Sequence, residues 1–166
     1  MDFAVSNPLA VINNVDVTNR QYDVNALAGI TYKVLQNLSL TGKVGLYYNY
    51  NNEKLFIPGK TDKTIIPLFT PFGEAENTVK NGVGKVVNFF YNVNGQYNTV
   101  LDNKHKINVL GGLQSIISEY EYDAGVGYNT ANDFYQTLNN VNKLGRNFSG
   151  YISKWNWMNF YAHGDY

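Results

Sequence analysis

The chain has 166 residues, with 13 basic and 13 acidic side chains and no cysteine. Zero net charge leaves no basic surplus to neutralise phosphates, which argues against a nucleic-acid partner. The lack of cysteine excludes disulfides, cysteine-based zinc sites and thiol nucleophiles, and no apolar run approaches the roughly 18 residues that a membrane helix needs.

Apolar and polar residues alternate along the first half of the chain. The even positions from Tyr22 to Tyr32 are apolar or aromatic, whereas most odd positions between them are polar or small. The same pattern runs from Leu38 to Tyr50. Because successive side chains of a strand point to opposite faces, each stretch predicts a strand with one apolar side. The short link between them predicts a hairpin.

Three further strands are predicted downstream. The odd positions of Val87–Leu101 are mostly apolar, and Asp102-Asn103-Lys104 then supplies turn chemistry. A fourth strand follows with mostly apolar odd positions over Ile107–Ile117, and a fifth begins near Trp155 and runs to Tyr166. About five antiparallel strands are therefore expected, joined in chain order as an up-and-down meander.

The predicted connections alternate between short and long. The links after Tyr32 and Leu101 are short, whereas Asn51–Lys85 and Asp123–Lys154 form long connections. Within the first of these, Gly82-Val83-Gly84-Lys85 is interpreted as a flexible loop entering the third strand. Long irregular loops are uncommon in compact soluble domains, and short turns at one end with long loops at the other are typical of an outer-membrane β-barrel.

Strand length and aromatic placement favour the same architecture. Leu38–Tyr50 would span about 43 Å at about 3.3 Å per residue, enough to cross an apolar bilayer core when tilted. Tyr50 and Phe89 mark one aromatic girdle, and Tyr32 and Tyr97 mark another. The fold class expected is all-β: a segment of a large transmembrane β-barrel with short periplasmic turns and long extracellular loops. A soluble β-sandwich remains the alternative, since half-buried sheets also alternate.

The last predicted strand and the long loop before it contain the candidate binding residues. Trp155, Trp157, Asn159 and Tyr161 combine flat aromatic rings with an amide on or near one polar strand face, below a loop that holds Tyr151. Aromatic rings stack on sugars or peptides, and amides satisfy hydroxyl or backbone groups, so these residues are predicted to contact substrate. Packing against a plug, or a role in an aromatic girdle, is the alternative for each of them.

No catalytic or metal centre is predicted. His105 and His163 lie far apart in the sequence, and no nucleophile–base pair is suggested. Glu119, Glu121 and Asp123 share one strand face, and oxygen ligands of this kind can bind calcium. We interpret them as a solvated strand end. The chain is therefore expected to be no enzyme and to bind no cofactor or metal.

Five segments resemble SusC/RagA-like TonB-linked outer-membrane transporters of Bacteroidetes. These segments appear in the order and spacing of that family over nearly the whole chain, and they are Asn7–Asn13, Tyr32–Leu40, Asn108–Gln114, Asp133–Asn139 and Trp157–Tyr166. His163 and Gly164 fall where the family usually has an arginine, and Trp157 replaces an aliphatic residue. Each motif is weak alone; their order carries the resemblance.

The resemblance implies both a fold and a function. It implies that residues 1–166 are part of a TonB-dependent receptor β-barrel in the bacterial outer membrane, with the plug, the TonB box and the remaining strands absent from this fragment. The parent would import a glycan or peptide nutrient together with a SusD/RagB-like surface lipoprotein and TonB, in contact with outer-membrane lipid. The alternative function is a soluble β-sandwich carbohydrate-binding module.

Overall fold

Five long strands form one antiparallel sheet with the order β1-β2-β5-β6-β7. The structure, a computed structural model, describes residues 8–59, 68–70 and 73–166. The long strands are β1 (Asp16–Leu35), β2 (Leu38–Ile57), β5 (Thr78–Leu101), β6 (His105–Tyr128) and β7 (Arg146–Asp165). Each strand pairs with the next long strand along the chain, so the predicted meander is confirmed.

Short elements complete the described part of the chain. Helix α1 covers Pro8–Asn14, strands β3 (Leu68–Thr70) and β4 (Gly73–Ala75) form a two-stranded hairpin, and two 3₁₀ turns lie between Tyr128 and Arg146. The first segment of the family resemblance maps onto α1, except for Asn7, which lies outside the described residues. No helix in the described ranges is long and apolar enough to cross a membrane.

The turn between β5 and β6 follows directly from its sequence. Asp102 and Asn103 both have positive φ angles, of 51° and 53°, and the Lys104 amide donates to the Leu101 carbonyl over 3.1 Å. A two-residue hairpin turn with positive φ at both central positions matches the twist of the flanking strands, and Asp and Asn tolerate that conformation. The predicted short turn is therefore confirmed.

The strands extend further than the sequence pattern predicted, so the two long connections are shorter than expected. β2 continues to Ile57, β6 continues to Tyr128 and β7 begins at Arg146 instead of near Trp155. The Gly82–Lys85 stretch was predicted as a loop, and this prediction is wrong because it lies inside β5. Inter-strand hydrogen bonds hold these residues in strand conformation even where apolar alternation fades.

The described residues divide into two compact units. The first, called the loop unit, comprises the described residues up to Tyr22, Tyr50–Lys85 and Glu121–Tyr151; the second, called the turn unit, comprises Asp23–Asn49, Val86–Tyr120 and Ile152–Tyr166. Within the loop unit, Phe56, Val79 and Val141 form a small buried core, against which Leu138 packs. In this core, Val141 of the β6–β7 connection packs with Phe56 of β2 and Val79 of β5.

The soluble β-sandwich alternative is not favoured by the fold. Among the described residues, the strands form one five-stranded sheet and one two-stranded hairpin. A sandwich buries apolar side chains between two packed sheets. Here large apolar side chains of the turn unit are exposed, including Ile30 (75%) and Phe160 (74%). The sheet therefore leaves open the apolar face that a sandwich would cover.

Candidate functional site

Hydrogen-bonded polar side chains cover one face of the sheet in the turn unit. The Tyr47 hydroxyl and the Asn49 amide both donate to Asp23 Oδ1, over 2.9 and 2.8 Å. Between β5 and β6, Gln96 Nε2 donates to Asn108 Oδ1 over 3.3 Å. A Cβ atom placed on Gly45 of β2 would lie 3.3 Å from Phe90 Cβ of β5. The odd positions of β1 and β2 therefore share one side with the even positions of β5 and β6, and this side is called the polar face.

The opposite side of the turn unit is apolar, as the alternation predicted. One shallow depression on it is lined mainly by even positions of β1 and β2 and by odd positions of β5: Ala26, Ala28, Val44, Leu46, Phe89 and Tyr91. Val93 on the same side is 51% exposed. Small aliphatic side chains at the centre with aromatic rings among them are typical of the lipid-facing surface of a barrel.

Tyr161, one of the predicted binding residues, is fixed on the polar face. Its hydroxyl accepts a hydrogen bond from Asn92 Nδ2 over 2.9 Å. A Cβ atom placed on Gly112 would lie 2.6 Å from the Tyr161 hydroxyl oxygen and 2.7 Å from the Val93 carbonyl oxygen. Only glycine leaves room for the tyrosine ring here, since glycine in a strand often marks close approach of another group. Asn92 and Gly112 were not predicted from the sequence as residues of the site. A glycine inside a strand pattern is, however, a signal that another group packs closely against the backbone.

Three further predicted residues share the parity of Tyr161 on β7. Asn159 is half-buried, whereas Trp155 and Trp157 are 51% and 45% exposed. Alternate residues of a strand point the same way, so the alternation places all three on the polar face with Tyr161. Two accessible indole rings next to an amide and a fixed phenol can stack on apolar surfaces and hydrogen-bond polar groups.

Tyr151, the fifth predicted residue, belongs to the loop unit. Its ring centroid lies 6.1 Å from that of Tyr122, with the rings tilted by 48°. Tyr122 in turn lies over Gly82, where an added Cβ would come within 2.8 Å of the Tyr122 hydroxyl oxygen. Gly82, in the stretch that was interpreted as a loop, thus leaves room for the side chain of Tyr122. Tyr122 itself was not predicted as part of a site.

The acidic side chains near the end of β6 pair with lysines. In the turn unit, Glu119 lies 3.1 Å from the Lys154 ammonium, and in the loop unit Glu121 lies 4.0 Å from Lys85 Nζ. Within the described ranges no group of three or more His, Asp or Glu side chains could hold a metal ion. His163 faces Asp165 at 2.9 Å. Glu119 and Glu121 therefore act as partners of exposed lysines.

A buried polar network ties the β6–β7 connection to the start of β5 in the loop unit. Asn77 is 1% exposed and Thr130 is fully buried. Asn77 Nδ2 donates to Thr130 Oγ1 over 2.8 Å and to Asp133 Oδ1 over 2.9 Å, and the Thr130 amide donates to Asn77 Oδ1 over 2.8 Å. Asn129, with φ of 60°, adds a bond from the Glu76 amide to its Oδ1. The connection is therefore held by specific hydrogen bonds.

The sequence and the fold were both compared with known proteins. The sequence matches no protein-family model. It is 30% identical over 157 residues to TonB-dependent receptor P39 of Formosa agariphila, a match that covers 89% of this chain and 14% of that receptor. The chain thus spans about one seventh of the length of this relative.

The solved structures of the RagAB peptide importer have a similar fold. The closed-closed state aligns with a TM-score of 0.73 at 11% identity over 92% of this chain, and the open-open state with a TM-score of 0.69 at 13% identity over 94%. Each alignment covers 16% of the importer chain. At these identities the likeness shows the fold. Together with the sequence match, it confirms the resemblance carried by the motifs: the chain belongs to the TonB-dependent receptors, and its strands have the fold of RagAB, in agreement with the SusC/RagA-like motifs.

Proposed function

We propose that this chain forms part of the wall of a TonB-dependent nutrient importer in the bacterial outer membrane. The observation that carries this proposal is the two-sided sheet: a polar face with hydrogen-bonded side chains, and an apolar face left exposed. A transmembrane barrel needs both, because its outside contacts lipid and its inside contacts water or a plug. Residues 1–166 would then supply barrel strands, and the plug, the TonB box and the remaining strands would lie outside them.

Fractionation of the native host tests the location and the activity. The full-length protein, tagged in its own gene, should sediment with the outer membrane and resist extraction by salt while dissolving in detergent. Deletion of the gene should abolish energy-dependent uptake of one labelled nutrient class, and a plasmid copy should restore it. A tagged protein found in the soluble fraction would overturn the proposal and support a soluble binding module instead.

The importer would work with two protein partners. A SusD/RagB-like surface lipoprotein would cover its extracellular side, as the likeness to RagAB supports, and TonB would supply energy from the periplasm. The substrate would be an oligosaccharide or a peptide, and the RagAB neighbours are peptide importers. Mass spectrometry of proteins that copurify with the tagged transporter identifies the lipoprotein. Competition between labelled peptides and labelled oligosaccharides for uptake then separates the two substrate classes. No catalytic step is part of this proposal.

The aromatic residues of the polar face would contact the substrate. We expect Trp155→Ala and Trp157→Ala each to raise the KM for uptake by about 2- to 10-fold, because one aromatic stacking contact contributes about 0.5–1.5 kcal/mol. Phe160→Ala, on the apolar face of the same strand, is the matched control and should leave the KM unchanged. Equal effects at all three positions would show that these residues act only through strand stability.

A further inference from the structure

A groove in the loop unit combines two basic side chains with two aromatic rings. It is lined by three alternate residues from each of two paired strands: Thr18, Arg20 and Tyr22 from β1, and Tyr50, Asn52 and Lys54 from β2. The ring centroids of Tyr22 and Tyr50 lie 6.4 Å apart, with the rings tilted by 39°. The groove is therefore aromatic at one end and cationic and polar along the rest.

The charge of this groove is not neutralised within it. No carboxylate lines the groove, and Glu53 has the opposite parity on β2. The side chains of Arg20 and Lys54 are exposed, and neither side chain forms an ion pair or a hydrogen bond with any described residue. By contrast, Lys85 and Lys154 each face a glutamate. Two unpaired cations that line the same groove repel each other and attract an anion.

The ordering of residue types along β1 and β2 indicates which anion fits. All six lining residues occupy even positions, the parity that carries the apolar residues in the rest of both strands. Tyrosine rings are enriched at the interface between the hydrocarbon core and the headgroups of a membrane. Basic side chains just beyond such rings reach the headgroup level, where anionic groups attract them.

We infer that this groove binds the phosphate groups of an anionic membrane lipid. The Arg20 guanidinium can donate two parallel hydrogen bonds to phosphate oxygens, and Lys54 adds a second charge. Thr18 and Asn52 can donate further hydrogen bonds, while Tyr22 and Tyr50 contact the adjoining acyl region. This inference rests on the proposed function, because it requires the chain to lie in a bilayer.

Native mass spectrometry of the full-length transporter tests the inference. The protein is inserted in phosphatidylcholine nanodiscs that contain a minor fraction of bisphosphoryl lipid A, and the lipid A retained after detergent release is counted. The double variant Arg20→Gln/Lys54→Gln should retain about 25-fold less, since each basic residue near an anionic surface contributes about five-fold. The matched control is Lys33→Gln/Lys43→Gln, which removes two lysines of opposite parity from the same strands, and it should retain lipid A like the unchanged protein.

Further measurements distinguish a lipid phosphate from a free anion, and they distinguish failure of the lipid site from failure of the proposed function. Dephosphorylated lipid A should not be retained, and inorganic phosphate should not displace the bisphosphoryl form; displacement would assign the groove to a free anion and overturn the inference. Uptake by the double variant should stay normal. A variant that inserts, transports and still retains lipid A refutes the lipid site alone. A full-length protein that does not enter the bilayer refutes the proposed function and this inference together.

Discussion

Single glycines decide how large side chains fit on the polar face. The Tyr161 hydroxyl can lie over residue 112 of β6 only because that residue has no side chain, and in this place it accepts a hydrogen bond from Asn92. A methyl group at this position would meet both the tyrosine and the backbone carbonyl of Val93. The tyrosine can move, whereas the carbonyl belongs to a paired strand and cannot. One glycine thus fixes the orientation of one candidate binding residue.

Replacement of this glycine should therefore destabilise the transporter. We expect Gly112→Ala to lower the free energy of unfolding by about 1–3 kcal/mol through overpacking. The neighbouring Gly111→Ala is the matched control, because its Cβ would meet only one atom, at 4.0 Å, and should change stability little. Urea unfolding of the full-length protein in detergent measures both. Similar losses at the two positions would contradict the packing described for Tyr161.

At the scale of the strand, alternation determines which side chains tolerate charge. Val93 is 51% exposed on the apolar face, whereas Asn94 on the polar face donates to Asn92 Oδ1 over 2.9 Å. Neighbouring positions on β5 therefore lie in opposite environments. Lipid-facing positions near mid-membrane exclude charge because a buried cation loses its hydration, and lumen-facing positions keep theirs.

Arginine scanning of β5 tests this assignment. Val93→Arg should cost about 2–4 kcal/mol of barrel stability, and Asn94→Arg should cost much less. Refolding of the full-length protein into lipid vesicles, followed by chemical unfolding, gives both values. Equal penalties at the two positions would refute the assigned faces.

The connection between β6 and β7 is an element of its own, held by buried polar atoms. Replacing Asn77 with alanine removes its three hydrogen bonds to Thr130 and Asp133 and leaves the buried Thr130 amide without its acceptor. A buried donor without a partner costs about 1–3 kcal/mol. We expect Asn77→Ala to make the β6–β7 connection sensitive to external protease in intact cells. Asn140→Ala, which loses an exposed bond to Thr137, should leave the cleavage rate unchanged; faster cleavage of both variants would refute the role of the buried network.

At the scale of the whole chain, the described sheet has two edges, β1 and β7. An edge strand exposes unpaired backbone donors and acceptors that pair with other chains. The apolar face adds exposed large side chains such as Leu40, Val44 and Met158. Both features suit a sheet that continues into further strands and contacts lipid, and both are unfavourable for a single chain in water.

The 166-residue chain by itself should therefore associate in water. Light scattering without detergent should detect oligomers or aggregates, and detergent should reduce them by covering the apolar face. A monodisperse folded monomer of 18.7 kDa in plain buffer would mean that the strands bury this face among themselves, and it would overturn the barrel assignment.

The sequence by itself determined the periodic features of this protein. Alternation set the faces of the strands, Asp102 and Asn103 set a hairpin turn, and ordered motifs indicated the family, because each depends on neighbours along the chain. Tertiary structure decided the strand ends, the place of Tyr161 over Gly112 and the network around Asn77. These depend on partners far away in the sequence: Asn92 and Tyr161 are 69 residues apart, and Asn77 and Thr130 are 53 apart. Local patterns carry no information about which distant side chain fills a gap, since that choice is made only when the strands pair.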